Sequence, residues 1–139
     1  MIQSFNKICK VKGEISLSGD KSISHRALLI SSLADGKSKI KNPSTSDDVK
    51  STINCLEALG IEIHPSGNEV IVEGRGFQGY KKPSKILNAS NSGTTARLLA
   101  GILSAQNFES VIEGDDSLSF RPMSRIIEPL TLMVLLYDS

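Results

Sequence analysis

Tryptophan is absent from this 139-residue sequence, and two tyrosines and four phenylalanines are all its aromatic material. So few rings leave little for a platform that binds nucleic acid by stacking bases. The two cysteines, Cys9 and Cys55, form neither a CxxC pair nor a metal-ligand spacing. A reducing, cytoplasmic setting is therefore expected rather than a disulfide framework. The two histidines, His25 and His64, stand far apart with no Cys/His grouping, so no transition-metal site is expected. Neither sign of charge dominates: 16 Lys plus Arg against 15 Asp plus Glu leave a formal net charge of +1. That balance supports neither a nucleic-acid partner nor a polybasic membrane surface. Long apolar runs are missing too. Residues 1–14 lack the apolar centre of a signal peptide, and the greasiest stretch, 130–136, is far short of the roughly 20 residues a membrane span needs.

What is there is enough for one modest core, with 39% hydrophobic residues in an α/β pattern. Ile15-Ser16-Leu17 alternates and enters the polar Ser18-Gly19-Asp20-Lys21-Ser22, which predicts a short strand followed by a turn. Ala27, Leu28, Leu29, Ile30, Leu33 and Ala34 then predict a helix buried on most sides, with Gly36 as its stop. A strand over 38–41 ends at Asn42-Pro43. A second helix follows Ser44 to Asp48, whose small polar side chains suit the free amides of its first turn. Val49, Ile53, Leu56 and Leu59 line its inner face, and Gly60 ends it. Ile61-Glu62-Ile63 and Val70-Ile71-Val72 predict a hairpin around Pro65 to Asn68. Residues 74–83, with three glycines and a proline, read as loop.

The chain then repeats its plan. At one constant offset Arg26 falls on Arg97, Leu28 on Leu99 and Ile40 on Val111. Both copies run polar loop, helix with an early arginine, short strand, polar loop, second helix. The second copy predicts a helix over 95–105, a strand over 110–113, and then Pro122 at the start of a helix. Pro129 interrupts that helix, leaving 124–130 and 131–136 as pieces unless it kinks. No second hairpin follows, so the chain reads as a truncated repeat.

Three junctions could carry chemistry. Lys21-Ser22-Ile23-Ser24-His25-Arg26 opens the first helix, whose unpaired amides and dipole suit an anion, with Lys21 as a point charge and Arg26 as a bidentate fork. An ordinary capped helix with solvated charges is the plain alternative; the spacing is not that of a P-loop. Asn91-Ser92-Gly93-Thr94-Thr95-Ala96-Arg97 repeats the arrangement, Gly93 allowing close approach to the backbone. Arg121 follows Asp115-Asp116-Ser117-Leu118-Ser119. Three such arginines could converge on a multiply anionic ligand, although any one alone reads as solvated or salt-bridged. Asp47 and Asp48 could be a metal or acid–base pair, but helix capping is the favoured reading. His25 reads as packing or hydrogen bonding rather than a general base.

In four co-linear blocks the chain resembles the enolpyruvyl transferases, and within them the EPSP synthases. These blocks are Ser18 to Ala27, Ser46-Asp47-Asp48, Asn91 to Arg97, and Gly114 to Met123. The branch acting on UDP-N-acetylglucosamine is less similar: it has Lys-Asn where this chain has Lys21-Ser22, and a cysteine loop where this chain has Asp115 to Phe120. The resemblance implies transfer of the enolpyruvyl group of phosphoenolpyruvate to the 5-hydroxyl of shikimate 3-phosphate with release of phosphate. It implies no metal or organic cofactor and a monomeric parent. By motif position it puts Lys21 against both substrates as the catalytic lysine, and Ser22 and Arg26 on shikimate 3-phosphate. Thr94 would lie near the boundary, Gly93 and Arg121 on phosphoenolpyruvate, Arg97 in support of that pocket and Asn91 shaping its loop.

The same resemblance implies a partial inside-out α/β fold of βαβαββ units, in a parent about three times this length with two domains. Residues 1–19 would then be a strand of the parent's second domain, 20–87 the first unit of its first domain, and 88–139 an incomplete second unit. Missing would be the later Ser-Gln loop and the second domain with its acidic acid–base pair. The tail from Met133 to Tyr137 departs from the family pattern, so packing there is expected to differ from the family's. Two other readings stand beside this one: a non-catalytic anion-binding module, and the UDP-sugar branch.

Overall fold

The computed structural model describes residues 3–4, 6–7, 9–10 and 12–137, with side chains of the last helix described to residue 133. The tail from Val134 to Tyr137 is therefore described as backbone only, and the packing expected of its side chains lies outside the described residues. Of the segment 1–19, residues 1, 2, 5, 8 and 11 lie outside them as well.

Helix α1 spans Lys21–Leu33, and its cap is Asp20, whose Oδ1 accepts from Ile23 N at 2.8 Å. It buries Ser24, His25, Leu28, Leu29 and Ser32 along one face. The expected burial on most sides is not met, because Ile23 and Ile30 are two-thirds exposed on the opposite face. The helix ends at Leu33, and Gly36, expected as its stop, is already the second residue of β1, Asp35–Lys41. Helix α2 is Asp47–Ala58, and its inner face carries Val49, Thr52, Cys55 and Leu56. The hairpin forms as predicted from β2, Glu62–Ser66, and β3, Glu69–Arg75.

These strands make an antiparallel sheet in the order β1-β3-β2, with Ile40 opposite Val70 and Ile63 opposite Val72. Alternation sends Ile63, Val70 and Val72 inward, where α1 and α2 cover them. The outer face carries the exposed pairs Lys37–Glu73 and Lys39–Glu69, both 2.9 Å, which contribute little to stability. Gly74 lets β3 pass the end of α1, since a Cβ there would collide with the carbonyl oxygens of Ser31 and Ala34. Leu28, Leu56, Leu59 and Leu99 are fully buried in the core, and each contributes about 1.5–3 kcal/mol by leaving water.

The second unit sits against this core. Strands β4, Leu87–Asn88, and β5, Ile112–Glu113, pair in parallel, joined through α3, Gly93–Leu103. Ser92 caps α3 as Asp20 caps α1, its Oγ accepting from Thr95 N at 3.1 Å. Leu28 and Leu99, matched by the repeat, are both wholly buried. Helix α4 is Asp116–Ser119, and α5 is one helix, Ser124–Tyr137, that runs through Pro129 rather than breaking there. Pro122 does not start it, lying two residues before.

Residues 12–20 form no strand, contrary to the expectation for Ile15 to Leu17. Backbone groups of a strand need a neighbouring strand. Among the described residues Leu17 O receives only Asn42 Nδ2, at 3.5 Å, and Ile15 and Leu17 remain largely exposed. An open cavity of about 650 Å³ lies between α3, β5 and α5, lined by Leu103, Phe108, Ile112 and Ile127 among others. With this much apolar surface in water, the chain is expected to take up a hydrophobic dye and to melt over a broad range. Thermal unfolding followed alongside dye fluorescence checks this, and a sharp transition without dye uptake opposes it.

Candidate functional site

The starts of α1, α2 and α3 meet at one end of the helical layer, and that convergence builds the site. Lys21, at the first position of α1, donates from Nζ to Asp48 Oδ2 in the first turn of α2 at 2.7 Å. Ser44 N donates to Ser24 Oγ at 2.8 Å, pinning the loop that leads into α2. Thr95 Oγ1 approaches the carbonyl oxygen of Asp48 at 3.3 Å, tying the start of α3 to α2. Free amides and positive dipole ends therefore gather on one side of the molecule.

The capping expected of 44–48 takes a different form. Ser46 occupies the cap position of α2 but makes no side-chain capping bond. Asp47 pairs with Lys50 at 2.9 Å along its own helix, and Asp48 turns to Lys21. Both carboxylates still favour the helix electrostatically from its first turn. Among the described residues no group of three or more His, Cys, Asp and Glu could hold a metal ion.

A second cluster forms around α3 and α4. Asp115 caps α4, its Oδ1 accepting from Leu118 N at 2.8 Å, while its Oδ2 accepts from Asn91 Nδ2 at 2.8 Å. Asn91 Oδ1 in turn accepts from Arg121 Nη2. The hydrogen bond from Asn91, with the Leu118 amide and the nearby Arg121 charge, holds the Asp115 carboxyl below its ordinary range, so it stays an acceptor at neutral pH. Arg97 donates from Nη2 to the Pro122 carbonyl at 3.2 Å. Gly93 lies directly beneath both guanidinium groups: a Cβ built there would be 2.6 Å from Arg97 Nη1 and 3.4 Å from Arg121 Nη1. Two cations beside one glycine repel each other, and an anion between them would relieve that.

Four of the residues singled out from the sequence, Asn91, Gly93, Arg97 and Arg121, thus lie together, and Thr94 follows Gly93 in the first turn of α3. Lys21 joins Asp48 instead. Ser22 is exposed in the first turn of α1, and Arg26 bends back to donate to the Ser22 carbonyl at 3.3 Å, touching neither of the other arginines. Two partners escaped the sequence reading. Asp48 as the acceptor for Lys21 carried no local signal, because the two are 27 residues apart. Asp115 did carry one: an Asp three residues before the Leu118 amide is a cap signature.

His25 is completely buried, its Nδ1 2.7 Å from Thr52 Oγ1, so hydrogen bonding is its role here. Burial pushes its pKa below the ordinary 6.5, the Asp48 charge partly opposing and Lys21 and Arg26 adding to the depression. The unfolded chain then binds this proton more readily than the folded one. Stability is expected to be full above pH 6.5 and to fall as pH drops below it. Melting temperatures across that range check this; His25→Asn should flatten the slope, and an unchanged slope would assign it to another group.

A model of the family described as EPSP synthase (3-phosphoshikimate 1-carboxyvinyltransferase) matches residues 5–134. The 3-phosphoshikimate 1-carboxyvinyltransferase of Petrotoga mobilis is 58% identical over 124 residues, covering 88% of this chain and 29% of that protein. The protein of the same name from Syntrophomonas wolfei is 53% identical, with the same two coverages. A solved EPSP synthase from Acinetobacter baumannii superposes with a TM-score of 0.82 at 43% identity, covering 87% of this chain and 28% of that one. This chain therefore spans less than a third of the length of the relatives it matches.

Proposed function

The chain belongs to the EPSP synthase family, and on that premise we propose that it supplies the anion-binding side of a site that moves an enolpyruvyl group from phosphoenolpyruvate to the 5-hydroxyl of shikimate 3-phosphate. The observation that carries this is the meeting of Gly93, Arg97 and Arg121 beside the starts of α1 and α2. Both substrates carry phosphate and carboxylate, and both groups suit guanidinium forks and free helix amides.

In this reading Arg121, oriented by Asn91 and Asp115, faces phosphoenolpyruvate above Gly93, with Arg97 steadying the wall. Ser22 and Arg26 take shikimate 3-phosphate, and Thr94 lies at the boundary. Lys21 serves both substrates by leaving Asp48, an exchange its half-exposed side chain permits. The reaction adds the 5-hydroxyl oxygen to C2 of phosphoenolpyruvate while a proton reaches C3. Loss of phosphate from C2 and of a proton from C3 then restores the double bond. The cations here would stabilise the departing phosphate. Residues 20–87 and 88–139 are assigned to successive repeat units, and 1–19 to a strand of a further domain, a reading supported by the exposure of Ile15 and Leu17. A reducing cytoplasm suits the free Cys9 and the buried, unpaired Cys55.

Calorimetric titration of the chain with phosphoenolpyruvate, shikimate 3-phosphate and UDP-N-acetylglucosamine tests the substrate assignment. Binding of the first two and not the third is expected. Preference for the UDP-sugar, or no binding of either phosphate ester, would overturn it.

A further inference from the structure

Four wholly buried polar side chains run in one line through the core beneath the site: His25 on α1, Thr52 on α2, Thr95 on α3, and Ser92 at the cap of α3. His25 Nδ1 is 2.7 Å from Thr52 Oγ1, Thr52 Oγ1 is 2.7 Å from Thr95 Oγ1, and Thr95 Oγ1 is 2.7 Å from Ser92 Oγ. Apolar residues would fill this space without the risk of a buried polar group left unpaired. The line is also directional. Thr95 Oγ1 has one proton, and the backbone carbonyl of Asp48 and the Ser92 hydroxyl are its two acceptors on one side. Spending the proton there leaves Thr95 to accept from Thr52, and Thr52 to accept from His25.

His25 must then carry its proton on Nδ1. Its Nε2, which finds no partner among the described residues, is left as a bare acceptor. The reverse direction would strand a buried N–H at Nε2, and buried donors without partners are the rarer and costlier defect. Both lines of argument select the same tautomer.

We propose that this chain of donors, His25 to Thr52 to Thr95 to Ser92, is a positioning device that locks the start of α1 to the start of α3. It would hold the two anion-binding segments as one site. Its members are positioning residues: His25 lies between Ser22 and Arg26 in sequence, and Ser92 and Thr95 flank Gly93 and Thr94. The ligand part of this inference rests on the substrate reading above. The coupling part rests on the hydrogen bonds alone.

The experiment uses this chain labelled with nitrogen-15. A long-range proton–nitrogen correlation on the unmutated chain reads the His25 tautomer, with Nδ1–H expected; an Nε2–H ring overturns the proposal whatever the variants do. Thr52→Val keeps the shape and removes the hydroxyl, while Thr52→Ser restores it. In the valine variant, amide exchange at both Ser24 and Thr95 should quicken, and shikimate 3-phosphate should bind about 3- to 10-fold more weakly by amide shifts of Ser22 and Gly93. The serine variant should return both towards the starting values. Unchanged exchange at either end in a folded valine variant overturns the coupling. Quickened exchange at both ends, in a chain that binds no shikimate 3-phosphate before mutation, supports the coupling and sinks the substrate reading instead.

Discussion

Arg121→Ala is expected to weaken phosphoenolpyruvate binding by about 30-fold or more while changing shikimate 3-phosphate binding far less, and Arg26→Ala to do the reverse. The asymmetry follows from how each guanidinium is held. Arg121 is half-buried and placed by a fixed series: the α4 cap holds Asp115, Asp115 holds Asn91, and Asn91 holds Arg121. Removing it takes away an oriented fork whose position the fold has already set. Arg26 is exposed, and among the described residues its side-chain hydrogen bond is to the Ser22 carbonyl of its own helix. Its contribution depends on a ligand drawing it out of water, so its effect belongs at the lower end of that range. Gly93→Ala should mimic Arg121→Ala without deleting a charge, since the added methyl meets Arg97 Nη1 and Arg121 Nη1 together. Lys21→Ala should impair both ligands. Calorimetry of each ligand with each variant, with circular dichroism to confirm folding, reads the pattern. Equal losses for both ligands in both arginine variants would refute the division of the site.

The second expected result is that this chain, given both substrates, releases no phosphate at an enzymatic rate, against the usual 1–10³ s⁻¹. Addition and elimination need a proton donor for C3 and a base for the attacking hydroxyl. Among the described residues, Asp115 is bound to Asn91 and the Leu118 amide, which keep it ionised, and Asp48 pairs with Lys21 until that lysine turns to the substrates. His25 is buried and engaged with Thr52. The relatives are more than three times as long, and the chemistry also requires water to be excluded from between the substrates. A coupled phosphate-release assay checks this, and turnover in the ordinary range would show that a donor within this chain had been overlooked.

Much of the fold was legible because its signals are local. The helix read over 95–105 is found at Gly93–Leu103, its start moved forward by the Ser92 cap, and Gly67-Asn68 between alternating strands announces the hairpin. The elements misjudged were those whose state depends on something distant. Residues 15–17 have a strand pattern but no strand beside them. Gly36 has a stop signal that β1 overrides by pairing Asp35 with Arg75. Ile23 and Ile30 extend an apolar pattern beyond what any described element covers.

The same division runs through the site. Sequence alone determined which residues could grip an anion, because a charged or hydroxyl side chain beside a helix start has that capacity wherever the helix goes. The repeat placing Arg26 and Arg97 alike was also readable, since equal spacing on equal helices needs no coordinates. Only the tertiary structure decided that Arg97 and Arg121 close over one glycine while Arg26 stays apart, and that Lys21 is held by Asp48. It alone joined His25 to Thr95 through Thr52. Apart from Gly93 and Arg97, which share a helix, those contacts link residues 27 to 43 positions apart, and depend on how three helices pack on a shared core. No local propensity encodes such distances; the burial of Leu28, Leu56 and Leu99 sets them.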